Sequence, residues 1–292
     1  MEDRVVPANL MLVVDTELDV DGPNDGVTGL REAIRLAQEA GAGPHMITFA
    51  NTMNGKVFKL GDAGTEIKLT KTITIDGLGK NITVERDATK GDISLFEVQQ
   101  TAVASIIGLK LQKGGGTLVF HGGAVVSSGN LTLQDCTFQN NAASFGGGLS
   151  VTDANVTANS GVVIQENTAN LAGGGIYIRK VNAEFAPIVE LTGATVSANT
   201  AAFTGGGIHL LNGDLRLDGA LICCNNAVNN FSEATRGGGV FAADGTNVIA
   251  KNNPTIASNS AMTGDGLYLE VGAARTGTST YVEDSEYDGN PA

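Results

Sequence analysis

The chain has 292 residues, of which 40 are Gly, 6 are Pro and none is Trp, with a formal charge of -13 at pH 7. Glycine at about twice its average usage without a Gly-X-Y period excludes collagen, and 42% apolar residues supply a core that a disordered chain lacks. The negative field and the absence of a Lys/Arg cluster exclude nucleic acid as a partner, and no apolar run of about 18 residues offers a membrane-spanning helix.

The first residues, "MEDRVVPANLMLVV", place Glu2 and Asp3 where a signal peptide needs positive charge, and their apolar stretch is too short for one. The next segment, "DTELDVDGPNDG", gathers acidic side chains around Gly and Pro. Calcium takes six to eight oxygens from a flexible loop, which makes Asp19, Asp21 and Asp25 the candidate ligands. Pro23 breaks EF-hand spacing, and a solvated acidic loop without metal is the alternative reading. No other cofactor is indicated.

"GLREAIRLAQEAG", from Gly29 to Gly41, sets Leu30, Ala33, Ile34 and Ala37 on one face of a helix. Glu32 stands three residues after Gly29, as in a capping box with a weak N-cap, and Gly41 supplies the C-cap. After residue 45 no helical period interrupts the chain. Short strand-like runs such as "GIYI", "IVEL" and "ATVSA" alternate with Gly, Asn, Asp, Thr and Ser.

A phrase then repeats. Clusters of Gly begin at Gly122, Gly146, Gly173, Gly205, Gly237 and Gly264, a mean step of about 28 residues that lies in the range of repeat architectures. Strands this short, with connections too brief for crossover helices, wind as coils in which each strand lies beside its equivalent in the next. The expected fold is all-β: a right-handed parallel β-helix of eight or nine coils, capped by the N-terminal helix. Residues 1–45 form the N-terminal segment and cap, residues 46–292 the solenoid, in one structural domain.

Upstream of five glycine clusters stand Asn140, Asn167, Asn199, Asn225 and Asn259. Gly supplies positive φ and close approach at a corner; Asn tolerates the left-handed region and bonds its counterpart one coil away. These five are the expected corner ladder. The stretch between Asn225 and Gly237 is longer than its counterparts, and solenoid insertions are extruded on one face, so Phe231, Glu233 and Arg236 are candidate contact residues, with a neutral insertion as the alternative.

Chemistry is less legible. His121 and His209 touch glycine clusters in different contexts, and Arg179 and Lys180 are adjacent, so they face opposite sides of a strand. Neighbouring coils bring residues about 28 apart to glycosidase separations. Asp135, Asp153, Glu166, Glu184, Glu190, Asp214 and Asp218 are available, but none repeats at one coil position. No catalytic residue is assigned. Three Cys, two of them the adjacent Cys223 and Cys224, fit neither a disulfide framework nor a zinc site.

"VVDTELDVDGPNDGVTGLREAIRLAQEAGAGPHMITF" followed by "LTKTITIDGLGKNITVE" resembles the start of secreted bacterial right-handed β-helix proteins of the pectin-lyase-like kind, with Gly29 replacing the usual Ser. "EDRVVPA", residues 2 to 8, resembles a segment near the start of many planctomycete exported proteins. "GGAV" and "FQNN" loosely resemble repeats of the chlamydial polymorphic membrane proteins. These resemblances imply a secreted or cell-surface location. The expected function is a non-enzymatic surface or matrix module, adhesin-like or scaffolding, whose partners are glycans or neighbouring surface proteins. A polysaccharide lyase or glycoside hydrolase is the alternative; the calcium carboxylates or clustered Asp that such enzymes carry are not evident in this sequence.

Overall fold

The computed structural model describes residues 9–19, 22, 26–41, 43–61, 64–229, 234–277, 281–282 and 286–288, the last five without their side chains. Its strands assemble into three long parallel sheets of ten, nine and nine strands and a fourth of four. The expected β-helix is the observed fold. One turn of it consists of Asn130–Gln134 in sheet 1, Thr137–Gln139 in sheet 2, Ala142–Phe145 in sheet 4 and Leu149–Thr152 in sheet 3. The next turn repeats these as Val156–Ala158, Val163–Gln165, Thr168–Ala172 and Ile176–Arg179, each paired in parallel with its predecessor.

Strands of three to five residues suffice because alternation puts one or two side chains of each into the core, where they stack on equivalents from neighbouring rungs. Sheet 1 contributes Leu131 and Leu133, then Val156 and Ala158, then Val189 and Leu191. Sheet 2 contributes the column Phe138, Ile164, Val196, Ile222. Sheet 3 contributes Leu149 and Val151 above Ile176 and Ile178. Burying each such side chain is worth about 1.5–3 kcal/mol, so stability accumulates rung by rung.

At the N-terminal end, α1 (Leu30–Glu39) buries Leu30, Ala33, Ile34 and Ala37 against Met11–Val14, His45–Phe49 and Ile67–Leu69. This is the expected cap and the expected face. Gly29, at the N-cap, makes no side-chain bond, and buried Glu32 does not close a capping box; its Oε1 lies 3.7 Å from Arg35 Nη2. Ala40 is the C-cap residue, and Gly41 follows at φ +132°. Gln38 Oε1 accepts bonds from the Thr70 N–H and hydroxyl at 2.6 and 2.7 Å, which ties the helix to the first rung. The N-terminal segment is itself part of the solenoid, since Met11–Val14 adds a parallel strand to sheet 1 beside His45–Phe49.

Candidate functional site

Six successive sheet-2 strands, from Leu109–Gln112 to Thr255–Ala257, are each followed by a residue with left-handed backbone: Lys113, Asn140, Glu166, Ala198, Cys224 and Ser258, at φ +53 to +61°. The residue after it turns inward. Asn141, Asn167, Asn199, Asn225 and Asn259 occupy that position, all buried. The Oδ1 of Asn167 accepts both the backbone N–H and the side-chain N–H of Asn141, at 3.0 and 2.9 Å; Asn199, Asn225 and Asn259 repeat the arrangement downstream. The second Nδ2 proton goes to the carbonyl of a core residue of sheet 2, from Leu111 to Ile222. Four of the five expected ladder residues are therefore in place, and the fifth is corrected. Asn140 is exposed at the left-handed position, and Asn141 is the ladder residue. Asn140, Asn167 and Asn199 each stand six residues before the first glycine, an offset that misleads here because the register slips between Ala143 and Phe145, leaving this rung one residue shorter than the next.

After the ladder the chain runs through sheet 4 and doubles back at the glycines. Gly173 has φ +67°, and a Cβ there would lie 2.4 Å from the Ile176 carbonyl oxygen; one on Gly174 would lie 2.3 Å from that of Gly206 in the next rung. Only glycine fits so tight a re-entrant turn. The turn creates a cleft between the end of sheet 4 and the outer face of sheet 3, and two columns of side chains close it. One column is the residue before each glycine cluster: His121, Phe145, Ala172, Thr204, Arg236 and Thr263, joined in part by backbone bridges. The other is the fourth residue after the first glycine: Val126, Ser150, Tyr177, His209, Phe241 and Tyr268.

Ala172 and Thr204, small residues, precede the glycines of the rungs that carry Tyr177 and His209, while the rung of Phe145 carries the fully buried Ser150. The rings form a continuous stack: Tyr177 to His209 at 5.1 Å between centroids, His209 to Phe241 at 4.7 Å, Phe241 to Tyr268 at 5.3 Å, with planes within 24°. His121 and Phe145 extend it past Tyr177, at 6.1 and 4.8 Å. Thr204 Oγ1 lies 2.8 Å from His209 Nδ1. Burial among rings holds the His209 pKa down to about 3. His121 is held at about 4, by burial first and the Arg179 charge second. Both histidines are neutral packing groups at neutral pH.

Of the candidate contact residues, Arg236 places its guanidinium 5.5 Å from the Tyr268 ring centroid, at the C-terminal end of the stack, while Phe231 and Glu233 lie outside the described residues. Asp19, the described member of the calcium trio, bonds Arg31 Nε at 2.8 Å and the Gly61 N–H at 3.0 Å; Asp21 and Asp25 lie outside the described residues. Several lateral carboxylates staple one rung to the next through neutral donors. Glu166 accepts from Gln139 at 2.6 Å, Asp214 from Asn247 at 2.8 Å, and Asp153 from the Val181 and Asn182 N–H groups at 2.7 and 2.9 Å. The Cys136 thiol, buried and pushed up to about 11, donates to the Ile106 carbonyl at 3.2 Å. All three cysteines are free.

The outer face of sheet 4 was not anticipated. Residues 141–148, 167–175 and 199–207 contain no charged side chain, although 17% of the whole chain is charged. The residue before each cleft residue is exposed at Phe120 and Met262 and half-buried at Ser144, Leu171 and Phe203, while Thr235 in the same series is buried; neighbours are linked by backbone bonds such as Phe203 N–H to Leu171 O at 3.0 Å and Arg236 N–H to Phe203 O at 3.1 Å. Phe120 is 60% exposed and Met262 70%, and Leu118 beside the column is 86% exposed. Phe120 is held edge-on by His121 and Phe145, at 4.7 and 5.2 Å. Residues 113–121 flank this belt on its N-terminal side. The fixed offsets from the first glycine were the signal available in the sequence: two residues before it for the belt, one before and four after for the cleft.

Comparison with protein-family models, curated proteins and solved structures finds no match to this chain.

Proposed function

We propose that this protein is a non-enzymatic module of a cell surface or extracellular matrix, adhesin-like or scaffolding, that holds its partner on the uncharged belt. The observation that carries the reading is the belt itself: an apolar and neutral-polar strip on a molecule of formal charge -13. Neutral groups shed water at far lower cost than charges, and the exposed Phe120, Leu118 and Met262 offer apolar area to cover. The Asn ladder and the aromatic stack beneath make the strip rigid, so a partner pays little to order it. The connection of residues 113–121 supplies one edge, as binding faces of solenoids commonly do.

Export is part of the proposal and rests on the resemblance of residues 2–8 and of the segment around α1 to secreted β-helix proteins. The test is incubation with a panel of neutral and acidic polysaccharides, with and without calcium, followed by assays of reducing ends and of unsaturated products. Binding without product supports the module. Turnover on any polymer overturns it in favour of a lyase or hydrolase.

A further inference from the structure

We infer that the outer face of sheet 2, over its C-terminal rungs, is where a second copy of this chain docks, sheet against sheet, about a two-fold axis at the level of Leu221–Cys223. The contact is separate from the belt on sheet 4 and does not rest on its role.

Alternation turns the first and third residue of each three-residue strand outward. From Thr137 to Ala257 these are Thr137 and Gln139, Val163 and Gln165, Thr195 and Ser197, Leu221 and Cys223, Thr255 and Ala257, in register from rung to rung. None is charged, whereas the first rungs of the sheet carry Lys59, Glu85 and Lys110 in the same two columns. The rims flatten over the same stretch. On one side the exposed Ala198, Cys224 and Ser258 hold the left-handed position that Lys113, Asn140 and Glu166 hold upstream. On the other, Gly193 and Gly219 follow their sheet-1 strands where Asp135 stands upstream and Asn252 downstream, all at φ +49 to +59°. Packing inside the molecule does not demand glycine at these two. An added Cβ would meet no atom closer than 3.5 Å at Gly193 or 3.6 Å at Gly219, against 2.6 Å from the Leu78 backbone at Gly108 of the same corner. Their bareness serves something outside the chain.

A second copy fits this face better than another partner does. Parallel sheet is ordinarily covered on both faces, and rows of side chains about 4.8 Å apart mesh best with rows of equal spacing, which an identical solenoid presents. Two bodies of formal charge -13 approach closely at least cost where neither carries charge. The five strand faces span about 20 Å along the axis and on the order of 400 Å² per copy. That is about half of what each side of a stable complex buries, so the dimer should be weak.

The experiment is sedimentation velocity of the full chain from about 1 µM to about 1 mM, at low and high salt. A dimer should form at the upper concentrations and tighten with salt, because screening removes the repulsion between like-charged bodies while the neutral contact remains. Leu221→Glu, at an exposed position, and Gly219→Asn, which raises the rim at a φ close to that of Asn252, should each weaken it about tenfold or more. Thr132→Glu on sheet 1 should not. In Cys223→Ser the accessible thiol is Cys224, since Cys136 is buried, and a short bis-maleimide should join two chains through it. Thr132→Cys in a Cys223→Ser, Cys224→Ser background should cross-link far less. A monomer at every concentration overturns the inference, as does a dimer that salt loosens, that both face variants leave unchanged, or that cross-links no better through Cys224 than through position 132. A dimer lost instead in Phe120→Ala would place the contact on sheet 4 and overturn it here.

Discussion

Asn199 is bonded on every side: its Nδ2 donates to Asn225 Oδ1 and Ile164 O, and its Oδ1 accepts from the backbone and side chain of Asn167. Asn199→Ala therefore strands two buried N–H groups of Asn167 and the buried Ile164 carbonyl and should cost about 2–4 kcal/mol, read as a shift of the urea midpoint. Replacing exposed Asn140 by Gly, which tolerates its φ of +56°, should leave the midpoint nearly unchanged. That contrast separates the ladder position from its neighbour, a distinction two adjacent Asn in the sequence could not make. His209 carries a pH signature. Its folded pKa of about 3 lies below the ordinary 6.5, so the unfolded chain binds more protons between those values. Stability present in full above pH 6.5 is lost as pH falls toward 3, by up to about 1.36 kcal/mol per unit. Glu17, Glu66 and Glu85, with pKa values lowered from 4.5, act in the same direction only at lower pH. Between pH 6.5 and 5 the slope thus belongs to histidine, with half-buried His121 contributing less. His209→Phe, which keeps a ring in the stack, should flatten that slope; an unchanged slope would show that His209 is not the group responsible.

Elements here are short because the turns between them are specified so tightly. Gly174→Ala would set a Cβ 2.3 Å from one carbonyl oxygen and 2.5 Å from another, both on the neighbouring rung, so two strands must separate. We expect a loss on the order of 3 kcal/mol. Gly245→Ala meets nothing within 4 Å at φ +71° and should cost only about 1–2 kcal/mol for the left-handed backbone. Equal losses in denaturant titrations would show that crowding does not set the glycine requirement. The repeat of this phrase made the solenoid legible, since the spacing of Gly122 to Gly264 and the short β-branched runs admit little else. The cleft and the belt were not read, although their residues stand at constant offsets from the glycines. A column such as Tyr177, His209, Phe241 and Tyr268 mixes residue types and becomes a single object only once rungs stack.

A solenoid is a one-dimensional molecule, each rung in contact with its neighbours, so damage at one end should stay there. The cap was legible because Leu30, Ala33, Ile34 and Ala37 fall at helical spacing ahead of the first strand. The strand Met11–Val14 was not, because four apolar residues reveal no partner until sheet 1 is built. Ile34→Asp puts a carboxylate into the contact between α1 and the first rung, where Ile34 is 1% exposed. The cap should detach, exposing the edge of that rung. Amide hydrogen exchange should then lose protection across His45–Phe49 and Ile67–Leu69, while the ladder from Asn141 to Asn259 keeps its own. The uncovered edge should also raise self-association, seen as a concentration-dependent sedimentation coefficient, because an open parallel edge is a template for pairing. Uniform loss of protection along the chain would instead mean that the rungs unfold as one cooperative unit, and that the cap governs the whole rod.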